Sequence, residues 1–246
     1  MINHIYYLME VIYNNVMEFA GLDKLSLVDF DRHISCILFT RGCNFACPFC
    51  HNGPLVIPGV DNQIIPFEEI LTFLRKRQGI LDAVVISGGE PTLMPDLKEK
   101  IEAIKDLGYL VKLDTNGTRP EVVKDLVESG LIDFIAMDIK SSLENYPLIT
   151  DSRVNTDKIV ESIEYIKSCG IDYEFRTTLI AEYHDEEDMR QIAELIGNAK
   201  KYRLQKYVDR EGCIAHGFHE VPLETAKKYL EIFKNHINDV ALRSYE

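Results

Sequence analysis

Three of the six cysteines fall within eight residues: Cys43, Cys47 and Cys50, in the string Arg41-Gly42-Cys43-Asn44-Phe45-Ala46-Cys47-Pro48-Phe49-Cys50-His51-Asn52. Thiolates spaced C-x3-C-x2-C can wrap one compact soft-metal centre. A structural zinc site wants four protein ligands, and His51 is the local side chain that could be a fourth. An electron-transfer iron–sulfur cluster also wants four thiolates, whereas three on a four-iron cluster leave one iron open to an outside ligand. A reactive open cluster and a zinc-stabilised loop are therefore both readings of this segment. Cys36 lies in an apolar run and reads as a buried small hydrophobe. A fainter set, Cys213, His216 and His219, supplies three ligands at a spacing of three, and Cys169 is too far along the chain to be an obvious fourth.

The elements around these residues alternate. Ser35–Phe39, Ala83–Ser87, Tyr109–Leu113, Ile132–Met137, Asp172–Leu179 and Tyr202–Tyr207 read as strands, with a closing strand over Val240–Ser244. Helices are expected over Pro66–Lys76, from Pro95-Asp96 through Leu97, Ile101 and Ile104, over Glu121–Glu128, through Ile159, Ile163 and Ile166, over Met189–Ala199 and over Leu223–His236, from their apolar spacing. His184, in the string HDEED, marks the approach to a helix N-terminus, where acidic residues are favourable. Strands alternating with helices imply βαβ units and a parallel sheet. Six strands are too few for a complete eight-stranded barrel. In such folds the chemistry sits at the C-terminal ends of the strands. Cys43–Cys50, Ser87–Pro91, Asp114–Gly117, Asp138–Lys140 and Arg176 all read as strand-end positions, and that coincidence points to an enzyme.

The 246 residues carry 27 Lys and Arg against 40 Asp and Glu, a net charge of −13, so general binding to nucleic acid or an anionic membrane is disfavoured. Hydrophobic residues at 46% and charged residues at 27% are ordinary for a globular chain. No apolar run reaches the length of a membrane span, and the first 19 residues lack the basic start of a signal peptide. Residues 1–20 read as an N-terminal extension, with a second plausible start at Met17, and residues 21–246 as one domain. Clustered cysteines without a secretion signal point to the reducing cytoplasm.

CNFACPFC resembles the signature of the radical S-adenosylmethionine (SAM) superfamily, and Ser87-Gly88-Gly89-Glu90-Pro91 resembles its GGE motif. With GLDKLSLVDF, LDTNG, AMDIK and YEFRTT, the chain is similar from about Gly21 to Tyr207 to the activating proteins of anaerobic ribonucleoside-triphosphate reductase, relatives of the pyruvate formate-lyase activating enzymes. The resemblance implies an α/β fold, a partial (β/α)6 TIM-like barrel. It implies that Cys43, Cys47 and Cys50 hold a [4Fe–4S] cluster whose fourth iron takes the amino and carboxylate groups of SAM. Reduction would then cleave SAM to methionine and a 5′-deoxyadenosyl radical that takes a hydrogen from a glycine of a partner protein. By the same resemblance Gly88, Gly89 and Glu90 receive the SAM amino group. Asp114 and Thr115, beside Asn116, join Asp138 in holding a monovalent cation, and Lys140 and Arg176 hold the SAM carboxylate or ribose. Oxygen ligands suit a hard cation, and a guanidinium can grip a carboxylate bidentately. Glycines permit close backbone approach to a ligand, and Phe49 packs against the ligand or shields the cluster.

One string departs from the pattern. Relatives usually show D-x-P-G or D-G-P-G before the first strand, in the region that faces the protein substrate, whereas Asp29-Phe30-Asp31-Arg32-His33 keeps only the Asp. Another glycyl-radical enzyme, of pyruvate formate-lyase type, or a small molecule is the alternative substrate. A non-enzymatic iron–sulfur or zinc module is a further alternative, which would not need the GGE, Asp114 or Arg176 positions. No second cysteine cluster appears, so the electron must come from outside, with flavodoxin or ferredoxin the expected donor. Such donors are typically acidic, and Arg41, Arg32 and His33 are the candidate docking cations near the cysteine loop in sequence.

Overall fold

A computed structural model describes residues 18–57 and 63–245, so the expected extension lies, up to residue 17, outside the described residues. Strands and helices alternate along the chain, and the strands follow chain order in the sheet. The residues fall into two compact units. Among the described residues, the first unit takes 18–44, 52–115 and Glu121–Ile135, and the second takes Phe45–His51, Asn116–Pro120 and the chain from Ala136 onward.

The first unit opens with β1 (Phe19–Ser26), which runs antiparallel to β2 (Ser35–Thr40). After a short helix α1 (Gly53–Val56) come α2 (Phe67–Arg75), β3 (Ala83–Gly88), a single 3-10 turn (Pro91–Leu93), α3 (Leu97–Asp106) and β4 (Leu110–Thr115). Strands β2, β3 and β4 are parallel, with Ser35 opposite Ala83 and Ala83 opposite Leu110. The cores of β2 and β3 are unbroken apolar runs, as suits strands buried on both faces, whereas β4 carries the buried Lys112 at its centre. Leu97, Ile101 and Ile104 of α3 and Ile70, Leu71 and Leu74 of α2 are buried at helical spacing. Helix α4 (Pro120–Glu128) follows, and β5 (Phe134–Asp138) carries the chain from the first unit into the second.

The second unit contains α5 (Tyr146–Thr150), α6 (Thr156–Ser168), β6 (Asp172–Leu179), α7 (Glu186–Leu195), β7 (Lys201–Lys206), α8 (Leu223–Lys234) and β8 (Asp239–Arg243). Strands β6, β7 and β8 are parallel. Asn155 caps α6 by accepting from Asp157 N at 3.1 Å, and Asp185 caps α7 by accepting from Asp188 N at 2.8 Å. That cap starts α7 three residues before the expected Met189. Tyr202 on β7 packs its ring 4.4 Å from that of Phe233 on α8.

The expected α/β alternation is present, and the six expected strands are β2 to β7, with β8 as the anticipated closing strand. Strand β1 was not expected. Its string FAGLDKLS has no period-two pattern, and it is a strand because β2 supplies a ladder partner. Helices α1 and α5 are too short to carry a periodic signal. No helix among the described residues is long and apolar enough to cross a membrane.

On β6, Glu174 is almost fully buried and accepts both guanidinium nitrogens of Arg243 at 3.1 and 3.0 Å, which ties β8 across β7 to β6. Arg243→Ala leaves that carboxylate with a poorer share of positive charge. Denaturant unfolding should show a loss of about 1–2 kcal/mol, below the scale for a fully buried ion pair, because Arg243 is partly exposed and Arg203 stays 4.0 Å from the carboxylate.

Candidate active site around the cysteine loop

In the first unit, Cys43 follows β2 through Thr40, Arg41 and Gly42. This stretch lies directly against the Gly-Gly turn that ends β3. Gly89 N donates to Thr40 O at 2.9 Å, Glu90 N donates to Gly42 O at 2.8 Å, and Asn52 Nδ2 donates to Gly88 O at 2.7 Å. Gly88 has φ +114°, and a Cβ there would sit 2.4 Å from Thr40 N. A Cβ at Gly89 would sit 1.9 Å from Gly42 O. Here, then, both glycines serve the approach of one backbone to another, the one that leads into Cys43.

Glu90 is buried, and its carboxylate is turned into the unit. It caps the 3-10 turn by accepting from Thr92 N at 3.1 Å, and it accepts from Thr115 Oγ1 at 2.7 Å. Asp114 accepts from Ser87 Oγ at 3.0 Å, and its other oxygen lies 3.5 Å from the Lys112 ammonium. Lys112 also donates to the carbonyl of Asp29. The divergent string Asp29–His33 is therefore anchored, with Phe30 buried 5.4 Å from the Phe134 ring.

In the second unit, Cys47 and Cys50 sit in a loop held by backbone bonds from distant segments. Ala46 N donates to Thr150 O at 2.9 Å, Ala215 N to Pro48 O at 2.7 Å and Ile214 N to Cys50 O at 3.2 Å. Phe49 is buried, 6.1 Å from the Tyr183 ring and 6.5 Å from that of Tyr207. Burial pushes the Cys47 thiol up to about 12, against the opposing pull of the Lys140 charge.

Asp138, at the end of β5, receives Arg176 Nε on one carboxylate oxygen and Lys140 Nζ at 2.9 Å on the other. Burial alone would raise the pKa of this carboxyl. The Arg176 and Lys140 charges override it and hold Asp138 well below the usual carboxylate range. Its stabilisation is present above the unfolded carboxylate pKa and is lost only in strong acid. Burial would likewise lower the Lys140 pKa, but Asp138 and then Cys47 lift it above the ordinary lysine value. Arg176 departs from expectation in one respect. It is not at a strand end but inside β6, which continues to Leu179, and its side chain reaches Asp138 because β6 lies beside β5.

Asn116 forms a turn, its Oδ1 accepting from Thr118 N at 3.0 Å and from Thr118 Oγ1 at 2.7 Å. The set Cys213, His216 and His219 does not converge. Cys213 Sγ accepts from Tyr207 OH, His216 pairs with Asp209 and His219 pairs with Glu182. Among the described residues, no three His, Cys, Asp or Glu side chains gather as ligands of a single ion. Thiolates on separate irons of a cluster need not meet at one point. Three soft thiols in one loop, one buried beside a cation and two half-exposed, fit a cluster with an open iron. Two of the proposed docking cations are misplaced by sequence proximity. Arg32 and His33 precede β2, about 20 Å of strand away from the end that leads to Cys43, and only Arg41 lies at that end. Sequence reasoning also missed Tyr146, Thr177 and Asp188, which fix the turn after β5, and gave His184 no part in it. HDEED was the visible trace of His184 and Asp188, and Thr177 lies in the string YEFRTT.

The chain matches the profile of the Radical SAM superfamily over residues 37–196. It is 33% identical over 236 residues to a protein of Methanocaldococcus jannaschii provisionally named a glycyl-radical enzyme activating enzyme, covering 92% of this chain and 95% of that one. Among solved structures, Streptococcus suis SuiB bound to S-adenosylmethionine aligns with a TM-score of 0.65 at 16% identity, over 82% of this chain and 48% of that one. A domain of pyruvate-formate lyase-activating enzyme from Bacteroides vulgatus aligns with a TM-score of 0.55 at 20% identity, over 66% of this chain and 99% of that one.

Two outcomes follow from the geometry. Gly89→Ala should lower stability by about 2 kcal/mol or more, since the methyl group meets a backbone oxygen that no rotamer change can move. Iron retained after anaerobic reconstitution should fall with it. In metal-free protein at pH 8, mass spectrometry should find Cys47 far less alkylated by iodoacetamide than Cys43 or Cys50, with labelling recovered as the pH approaches 12, because the thiolate is the nucleophile.

Proposed function

The chain belongs to the radical SAM superfamily and, within it, to the glycyl-radical enzyme activating enzymes, and from that premise we propose that its protein substrate is an anaerobic ribonucleoside-triphosphate reductase. It is an enzyme whose cofactors are a [4Fe–4S] cluster and SAM. When bound, these supply one-electron reductive cleavage of the sulfonium, and the 5′-deoxyadenosyl radical released takes hydrogen from a glycine α-carbon of the partner.

Every other task falls to the residues of the chain. Cys43, Cys47 and Cys50 hold three irons. Lys140 and Arg176 present positive charge to the SAM carboxylate, and Asp138 keeps both cations in place when no ligand is bound. The Gly88–Glu90 segment faces the SAM amino group, with Glu90 fixing Thr115 beside Asp114. Asp114 and Thr115 offer oxygens that suit a monovalent cation, whereas both carboxylate oxygens of Asp138 are taken by Lys140 and Arg176. Phe49, packed between Tyr183 and Tyr207, keeps water from the cluster side of the site. The observation that carries the reading is the Asp138 carboxylate held between Lys140 and Arg176, with Lys140 and Asp138 near enough to the Cys47 thiol to act on its charge. A zinc module would have no use for it.

The reductase is favoured by the strings GLDKLSLVDF, LDTNG and YEFRTT. The anchored Asp29–His33 segment, which lacks the usual Pro-Gly, favours another glycyl-radical enzyme as the second reading. We place the reaction in the cytoplasm, with flavodoxin or ferredoxin as the donor and Arg41 as the cation nearest the loop.

Reduced, reconstituted protein mixed with SAM and the reductase should give a glycyl-radical signal by electron paramagnetic resonance. Formation of 5′-deoxyadenosine without that signal would transfer the assignment to another glycyl-radical enzyme. Cys43→Ala, Cys47→Ala and Cys50→Ala should each abolish SAM cleavage, while Cys36→Ala, Cys169→Ala and Cys213→Ala retain it. Arg176→Ala should weaken SAM binding by about 1.5–3 kcal/mol in calorimetry, the range for a hydrogen bond to a charged group, with iron content unchanged.

A further inference from the structure

The turn that follows β5 carries Asp138 and Lys140, and its backbone polar groups are held one by one. Ile139 N donates to Arg176 O at 2.8 Å. Ile139 O accepts from Thr177 Oγ1 at 2.6 Å, and that hydroxyl in turn accepts from Tyr202 OH at 2.6 Å. Lys140 N donates to Tyr146 OH at 3.1 Å. The rest of the turn is held from the start of α7. His184 lies 2.9 Å from Lys140 O through Nε2, and its Nδ1 accepts from Ile180 N at 2.9 Å. The second bond requires Nδ1 to be unprotonated, so Nε2 carries the hydrogen and donates to Lys140 O. Asp188 Oδ1 accepts from Ser141 Oγ at 2.7 Å and from Ser142 N at 2.9 Å.

Both side chains are almost wholly buried, His184 at 3% and Asp188 at 2% exposure. Each is locked from a second side. Tyr229 OH on α8 donates to His184 O at 3.0 Å, and Asp188 N is bound by the Asp185 cap. A buried imidazole and a buried carboxylate are costly to keep without a task that needs their directional bonds. Apolar side chains would fill the same space, but they could not fix a carbonyl and an amide of one particular turn.

We propose that His184 and Asp188 are positioning residues for SAM binding, which hold the Lys140–Ser142 turn from the N-terminus of α7 so that the Lys140 ammonium stays aligned with Asp138 and Arg176. The inference rests on the reading of Lys140 as a contact of the SAM carboxylate. Neither residue touches the ligand. They act by removing the freedom of the turn before SAM arrives, so the ligand loses less on binding.

The test uses reconstituted holoenzyme, with SAM affinity measured by calorimetry and backbone freedom measured by amide hydrogen exchange over residues 139–143. His184→Leu nearly keeps the volume, Asp188→Leu is larger than its parent, and both remove the bonds. Should either fail to fold, serine at that position replaces it. These variants should retain their iron, exchange faster over the turn and bind SAM about tenfold more weakly, the equivalent of roughly one hydrogen bond. His184→Gln and Asp188→Asn, which keep a donor and an acceptor where they are needed, should stay within about threefold of the parent. Lys140→Met is the reference. If Lys140→Met weakens SAM binding and the leucine or serine variants do not, the positioning role is overturned. If Lys140→Met itself has no effect, the reading of Lys140 falls and the inference falls with it.

Discussion

The partly buried Asp138 carboxylate keeps its charge because two cations share it. One isolated buried charge costs several kcal/mol, and the cost is offset only by close partners in good geometry. Arg176 comes from the middle of β6 and Lys140 from two residues past the end of β5, so both must be delivered to the same carboxylate. That requirement fixes much of the second unit. It sets where β5 ends, it requires the following turn to be rigid, and it explains why three neighbouring elements supply hydroxyls and an imidazole to that turn. The same triad carries a net positive charge, and the carboxylate proposed to bind there would meet cations already oriented, so little reorganisation remains.

The first unit solves a different problem chiefly with backbone contacts. Gly88 and Gly89 let the Thr40–Gly42 stretch pair with the turn after β3, and Glu90 spends its carboxylate on Thr92 and Thr115. A motif that reads in sequence as a ligand-binding string therefore also carries an internal role. The two roles are compatible, since amide and carbonyl groups fixed by packing make a more exact cradle than free ones.

Most of the strand and helix order was legible because β2, β3 and β5 are continuous apolar runs and because α2, α3 and α6 keep their apolar residues three and four apart. The three cysteines stood out by their spacing, and their reading as cluster ligands came from the family resemblance. Side-chain reach was not. Arg176 looked like a strand-end residue, yet β6 runs on for three more residues, and Arg176 meets Asp138 because it lies level with the end of β5. Arg32 and His33 looked close to the cysteine loop, but a whole strand separates them from it, because in β structure nearness in sequence becomes distance in space. His184 and Asp188 carried only the signal of a helix start. Their partners lie more than forty residues earlier, a separation no local pattern encodes.

The loop bearing Cys47 and Cys50 takes its shape from backbone partners at Thr150, Ile214 and Ala215. On a ribosome those partners emerge after the cysteines, the last of them when most of the chain has already been made. Until then the thiols belong to an unformed loop, free to be oxidised or to capture the wrong metal. Until the second unit has closed those backbone bonds, the loop proposed to receive the cluster lacks the shape that would present its thiols together.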